Sequence, residues 1–322
     1  MNAPDRGAAR GAEVQSVLLG VLAVLAFSLT FPATRAAVPE LGSIIVGLGR
    51  TPVAALLAAL ILLAHRKAPP ARRHLGRILA VTVGVVIGYP LLTTIALRHV
   101  PATHAAVVVG LLPAATAMFA VLTGGERLPR RFWLCALAGV LVVTFFALSQ
   151  GVRSLQSADL LLLAAVLLSA YGTVQGTRVA REIGAWQVMC WALVIATPFL
   201  LLPVGVEVAR HGLHASVTAW LAFGYVSMVS MLLAFLAWYR SLALGGTARG
   251  AQLQMAQPML ALIWAYLLLG EHLSVWTVVT CVAVVALAAA ARLSSSARPP
   301  AGTTDATGTA KPNRTSAHTT RR

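Results

Sequence analysis

Charge is scarce in this chain, and acid is scarcer still. Asp, Glu, Lys and Arg together make up 11% of the 322 residues, where a soluble domain carries about 25%. A chain with so few polar groups cannot cover a soluble surface. The nine carboxylates are Asp5, Glu13, Glu40, Glu126, Asp159, Glu182, Glu207, Glu271 and Asp305. All fall in tails or near the ends of apolar runs, so no acidic proton relay is expected at the middle of a bilayer. Cysteine is nearly absent too. Cys135, Cys190 and Cys281 each lie inside an apolar run, which excludes a CxxC site and a disulfide framework and leaves them as small packing residues. No GxxxxGK[ST] is present, which excludes a P-loop ATPase, and no HExxH, which excludes that class of zinc peptidase. A lipid-modifying membrane enzyme would need His, Asp or Glu clustered at one interface, and no such cluster appears. No enzyme, catalytic residue, metal site or cofactor is therefore expected.

What the chain has in abundance is long hydrophobic runs, with 58% apolar residues and a mean hydropathy of +0.82. A bilayer core about 30 Å thick takes about 20 apolar residues per helix. Ten segments meet that length: 16–36, 43–64, 77–97, 102–122, 131–149, 159–180, 185–205, 216–240, 247–269 and 274–293. The first is expected to be a retained helix, not a cleaved leader, because no small-x-small site and polar mature region follow it. The Ser/Thr/Pro-rich residues from 294 to 322 read as a disordered tail. The net charge of +16 does not make this a nucleic-acid binder, since the basic residues are spread over short loops between apolar blocks. Alternate loops carry Arg66, Lys67, Arg72, Arg73, Arg77, Arg127, Arg130, Arg131, Arg178, Arg181, Arg240 and Arg249, whereas the others carry Arg35, Arg98, Arg153 and Arg210. That bias predicts both termini in the cytoplasm.

A duplication organises the chain. "VLTGGERLP" (121–129) has a near-copy in "YLLLGEHLS" (266–274). A shift of 145 residues puts Pro113 on Pro258 and Gly125-Glu126-Arg127-Leu128 on Gly270-Glu271-His272-Leu273. Coincident Ala and Leu mean little in such a chain, but coincident Pro, Gly and Glu carry information. A weaker echo links Glu40-Leu-Gly to Glu182-Ile-Gly. The predicted organisation is a tail (1–15), a first five-helix unit (16–149), a linker (150–158), a second unit (159–293) and a cytoplasmic tail (294–322). Five is odd, so the copies must cross the membrane in opposite senses, the architecture of alternating-access carriers. The expected fold is an all-α membrane protein of ten helices in two inverted repeats.

The five-helix unit, Arg50 in "GLGRTPVAAL", the Pro of the fourth helix and the closing GE-x-L together resemble the EamA family of the drug/metabolite transporter superfamily, over roughly residues 17–293. The resemblance implies a ten-helix carrier of small organic solutes, often an exporter of amino acids or other metabolites. It also implies protons as a coupling ion, for which no carrier residue is read, and it leaves a homodimer open. One departure is plain: the residue corresponding to Arg50 in the second half is Ala196.

The candidate substrate contacts are polar or aromatic residues inside the apolar runs: Arg50, Thr30, Tyr89, Thr94, His104, Tyr171, Gln175, Trp238, Tyr239, Gln254 and Gln257. A guanidinium fork suits a carboxylate, but an arginine some 10 Å inside a helix end also fits one that snorkels to the headgroups. Gln254 and Gln257, three apart, are expected on one helix face, as interhelical glue or as ligand contacts. His104, a lone histidine near a helix start, is read either as a satisfied polar residue or as a contact in a wet interior. Pro113 and Pro258 are candidate hinges because a helix-interior proline frees a carbonyl. Glu126 and Glu271, just after glycines that suit helix C-caps, are candidate gate or cap residues. The expected function is secondary transport, with export favoured over import, of a small metabolite across a bacterial cytoplasmic membrane. The rivals are a broad exporter of amphipathic drugs, and a membrane scaffold or receptor subunit.

Overall fold

In lipid every backbone group must be satisfied within its own segment, so apolar runs of this length become helices. The structure, a computed structural model, describes residues 6–124, 130–149, 157–245 and 253–296. The described residues are helical, with short turns between. Among the described residues six stretches are long and apolar enough to cross a membrane: Glu13–Ala64, Arg72–Ala96, Ala102–Thr123, Ser157–Ile183, Ala185–His211 and Val217–Ser241. The first has 52 residues, twice the length one crossing needs. Shorter apolar helices occupy Trp133–Phe146, Gln257–Leu269 and Val275–Ala290. The chain is a multi-pass membrane protein. Side chains such as Leu56, Leu63, Phe199 and Leu202, each about 70% exposed, clothe its flanks in hydrocarbon. A soluble monomer does not carry apolar patches of that extent.

The first helix begins at Arg6, ten residues earlier than the apolar run, because the Ala-rich segment before it continues the same helix. The predicted linker and C-terminal tail lie largely outside the described residues, as do Glu126 and residues 246–252.

Two glycines turn the chain between successive helices in a left-handed backbone. Gly42 has φ +77 and Gly184 φ +90, a backbone region that glycine enters without steric cost. These are the glycines of the Glu-x-Gly echo, so the motif marks the same turn twice. The breaks in the two Pro-containing runs also correspond. One run is helical over Ala102–Val109, interrupted at Gly110-Leu111, and helical again over Leu112–Gly124. The other turns at Met255-Ala256 before the helix Gln257–Leu269. At the two breaks the Leu111 amide donates to the Val108 carbonyl and the Ala256 amide to Leu253, both at 3.1 Å. The interruption at Met255-Ala256 corrects the expectation that Gln254 and Gln257 share one continuous helical face.

Packing follows the same arithmetic. Arg6–Ser28 lies on Ala234–Gly245, and Ser157–Ile183 lies on the stretch from Arg72 to Ala96. Shifted by 145 residues, the first contact falls on the second. Arg50–Ala64 packs on Ala185–His211 and Arg130–Ser149 on Val275–Ser296; under the shift each of these falls on itself. Ala102–Val109 packs on Gln257–Leu269. Close approach comes from small residues. A Cβ on Gly84 would stand 2.3 Å from the Leu168 carbonyl oxygen, and one on Gly20 2.7 Å from the Ser241 hydroxyl. Ser16 and Ser241 exchange hydroxyl-to-carbonyl hydrogen bonds of 2.9 and 2.7 Å.

Candidate functional site

Arg50 opens the Arg50–Ala64 helix and is 3% exposed. The five residues before it, Ile45–Gly49, form a widened π turn, a helix irregularity often found at functional sites. Glycines in that turn let neighbours close in. A Cβ on Gly47 would stand 3.4 Å from the Thr94 hydroxyl, and Gly49 faces Val204 and Phe223. The turn thus carries Arg50 inward beside the helices of Tyr89, Val204 and Phe223.

The guanidinium has little holding it. Nε donates to the Gly47 carbonyl at 3.3 Å, and Tyr89 lies near enough to interact electrostatically. Among the described residues no carboxylate pairs with Arg50, and its two Nη groups have no hydrogen-bond partner. Burying a cation in a membrane helix costs about 2.5–3.5 kcal/mol unless it is solvated or paired. Its near-complete burial also argues against the snorkelling alternative. The arrangement leaves a fork of N–H donors ready for an anion.

One end of the molecule is tied by side chains gripping helix ends. Glu271 accepts from the amides of Ala102 and Thr103 at 2.8 and 2.9 Å. These are unsatisfied first-turn donors, and a carboxylate there also suits the helix dipole. Glu40 accepts from the Ser216 amide and hydroxyl at 2.5 and 2.8 Å. Those two bonds, the amide first, hold the Glu40 carboxyl below its ordinary pKa. Arg35 donates to the Leu97 carbonyl and to that of Val100 at 3.2 Å. A cleft of about 480 Å³ opens at this end, lined in part by Glu40, Ser43, Arg98 and Glu207. At the opposite end Arg73 donates to Glu182 at 3.1 Å across exposed side chains, and Arg178 donates to the Thr123 hydroxyl at 2.8 Å.

His104 is a satisfied polar residue, paired with a carboxylate. Its Nε2 lies 2.6 Å from Asp159 Oδ1, with both side chains about nine-tenths buried, and its ring sits against Phe146 at 5.3 Å. Asp159 lies near a helix end, in the first turn of Ser157–Ile183, and its burial there is an addition to what the sequence shows. Residues 104 and 159 are both in first turns of their helices, and only the packing of those turns shows that they meet.

The remaining predicted contacts fall into separate groups. Thr94 joins the Arg50 group, although its hydroxyl donates to the Pro90 carbonyl at 2.6 Å, a local bond common for threonine in helices. Thr30 bonds Ser230 at 2.7 Å. Trp238 and Tyr239 pack with Phe27, Leu253 and Leu260, beside Gln254 and Gln257, which are half-buried. Tyr171 meets Phe119 edge-on at 5.6 Å, and Gln175, one turn further along, is buried without a hydrogen-bond partner among the described residues. Pro113 and Pro258 each open the helical segment after a break. Glu40 and Asp159 were not singled out from the sequence. The Glu-x-Gly echo pointed to the first, and no local signal pointed to the second.

Comparison with known proteins agrees with this fold. The model of the EamA-like transporter family matches residues 14–148 and again 156–292. The chain is 43% identical over 274 residues to the uncharacterized transporter YdeK of Bacillus subtilis, covering 85% of this chain and 95% of that protein. It is 28% identical over 261 residues to a probable terminal-alkyne amino-acid exporter of Streptantibioticus cattleyicolor, covering 78% and 84%. The inner membrane transporter YedA of Escherichia coli is 25% identical over 68% of this chain and 71% of its own. A crystal structure of a protein 20% identical superposes at a TM-score of 0.57, covering 87% of this chain and 97% of that one, which speaks to the fold alone.

Proposed function

This chain belongs to the EamA-like transporter family, and from that premise we propose that it is a secondary exporter of a small carboxylated metabolite, of which an amino acid is the leading class. Its relatives are named as transporters, a role that calls for no enzymatic chemistry. The observation that carries the reading of the substrate is Arg50, buried to 3% exposure with both Nη groups unpartnered among the described residues. A planar two-donor fork in a low-dielectric site recognises a carboxylate bidentately. An amphipathic drug without an anionic group gains nothing from it. The distant relative named as an amino-acid exporter favours the same class.

In this reading the chain crosses the cytoplasmic membrane ten times, as two five-helix repeats (16–149 and 159–293) of opposite orientation with both termini inside. The support is the doubled family match, the paired helix breaks and the packing that maps onto itself under the shift. Substrate lodges at Arg50 with Tyr89 and Thr94 nearby. Gln175, Tyr171, Trp238, Tyr239, Gln254, Gln257 and Thr30 line the path between the repeats. Pro113 and Pro258 act as pivots, and Glu271 and Glu126 as gate contacts at opposite faces.

The test is counterflow in proteoliposomes, with a panel of radiolabelled amino acids against uncharged aromatic compounds. Exchange of an amino acid by wild type, weakened in Arg50→Lys and abolished in Arg50→Ala, is expected. Equal wild-type exchange by both variants, or exchange of uncharged compounds alone, overturns the assignment.

A further inference from the structure

We propose that the turn between Arg50–Ala64 and Arg72–Val81 binds an anionic phospholipid, with Arg66, Lys67 and Arg72 on the headgroup phosphate and exposed leucines under the acyl chains. The proposal goes beyond the transport reading and does not rest on it.

The first observation is a residue in an unfavoured conformation. Arg50–Ala64 ends with His65 as its cap. The Lys67 amide then donates to the Leu62 carbonyl at 3.0 Å and the Arg66 amide to that of Leu63 at 2.9 Å, the bond pattern of a Schellman motif. That motif puts the residue after the cap in the left-handed region, where glycine is the usual choice. Here the residue is Arg66, with φ +48, the one non-glycine of positive φ among the described residues. An L side chain takes up this conformation at a cost, and such outliers gather where a ligand is clamped. The chain forgoes glycine at this position and gains a cation at the helix end.

The second observation is the charge balance. Arg66, Lys67, Arg72 and Arg77 are exposed, and none has a carboxylate partner among the described residues. The acid that reaches this turn, Glu182, is taken by Arg73 at 3.1 Å, with His74 at 3.5 Å. Arg72–Val81 starts without a side-chain cap and without an acid in its first turn, so its free amides add to the positive field. A cluster of basic residues beside a membrane helix draws anionic lipid.

The third observation separates a lipid from a free anion. Leu56, Leu60 and Leu63 recur at helical spacing on one face, each more than 60% exposed, and the chain then runs directly into Arg66 and Lys67. Arg72, Leu75 and Leu79 also share a face, and both leucines are exposed. Each apolar row therefore ends in cations. Both helices pack on Ala185–His211 rather than closely on each other, so neither row is covered by its neighbour. Trp186, at the start of Ala185–His211, has its ring 5.4 Å from that of His65; tryptophan is a residue that settles at headgroup level. A phosphate held by the cations lays its acyl chains along the leucines. A soluble phosphate gains nothing from them.

The experiment is melting of the full-length protein in nanodiscs of phosphatidylcholine with increasing phosphatidylglycerol, at fixed salt. A ligand bound by the folded state alone raises the melting temperature, so the phosphatidylglycerol fraction that gives half the rise reads the affinity. Wild type is expected to rise. One Lys or Arg at an anionic surface is worth about fivefold in binding, so Arg66→Gly and Arg72→Gln are each expected to need about fivefold more of the lipid. In pure phosphatidylcholine Arg66→Gly is expected to melt no lower than wild type, because glycine enters the left-handed region freely. The double variant Arg130→Gln/Arg131→Gln removes charge from another basic turn and is expected to keep the wild-type midpoint. A wild type that does not respond overturns the proposal, and so do wild-type midpoints in the two turn variants. An equal shift in the Arg130/Arg131 variant also overturns it, as diffuse attraction to every basic loop. Glycerophosphoglycerol, the headgroup without its chains, is added to phosphatidylcholine discs as the last arm. No rise is expected, and a rise equal to that with the lipid would assign the cations to a free anion instead. None of these outcomes bears on Arg50.

Discussion

Glu271 reaches across 168 residues of sequence to take the Thr103 amide at 2.9 Å, and takes the Ala102 amide with its other oxygen at 2.8 Å. The preceding Gly270, with φ +64, turns the chain out of its helix in the left-handed region. The Gly-Glu pair thus has two jobs. The glycine ends one helix, and the glutamate caps the start of another that lies far away in the chain. Glu271→Ala strips both donors of their acceptor, and a lost cap costs about 1–2 kcal/mol. Glu271→Gln keeps one acceptor oxygen and loses the charge, so its loss is expected to be smaller. Thermal unfolding in detergent is expected to rank wild type above Gln and Gln above Ala. Equal melting of all three would show that the bonds carry no net energy.

The Glu40 tie has a pH signature. Its bonds to Ser216 lower the carboxyl pKa in the folded protein. A depressed folded pKa contributes stability that is present above the unfolded value and is lost as pH falls through the folded one. Wild type is therefore expected to lose more stability than Glu40→Gln on acidification below the ordinary glutamate range. The difference is expected to be small and sensitive to salt, because the group is exposed and screened. Parallel curves for the two proteins would deny the tie any role.

Gly84 and Gly172 test the close helix contact. A Cβ on Gly84 would stand 2.3 Å from the Leu168 carbonyl oxygen, and one on Gly172 2.8 Å from that of Ala80. Backbone atoms cannot swing aside as a flexible side chain can. Gly84→Ala and Gly172→Ala are each expected to destabilise by about 1–3 kcal/mol, the usual range for overpacking. Gly205, with nothing within 4 Å of a Cβ, is the control. Gly205→Ala is expected to be neutral or to stabilise by up to about 1 kcal/mol through backbone entropy. A melting series of the three variants checks the contrast.

Much of this was legible in the chain. Long apolar runs dictate helices in lipid, the repeated Pro located both breaks to within two or three residues, and Gly270 marked its helix's cap. The Glu-x-Gly echo marked two turns whose glycines both have positive φ. Periodicity describes a helix and its neighbours in sequence, and so it is silent about which helices meet. For that reason the partner of His104 could not be named, although Asp159 lies 2.6 Å away. Glu271 read as a cap, loop anchor or gate contact without a named partner, and its oxygens serve Ala102 and Thr103. Arg50 was legible as a residue out of place. Its burial became visible only once the π turn before it had been located, because no sequence pattern announces an extra residue in a helical turn.

The paired breaks supply the last prediction. Pro113 and Pro258 lack the amide that would bond back across the breaks at Gly110-Leu111 and Met255-Ala256, so each break persists at little cost. Alanine restores that donor and favours a continuous helix. If the breaks are pivots, Pro113→Ala and Pro258→Ala should leave substrate affinity in counterflow unchanged and slow turnover, since domain motions of this kind set the rate of many such cycles. Because the two positions coincide under the 145-residue shift, the slowing should be of similar size in either variant. The double variant should be slower than both. A change in affinity without a change in turnover would make the prolines part of the binding surface, and an effect at one position alone would break the equivalence of the two halves on which the pivot rests.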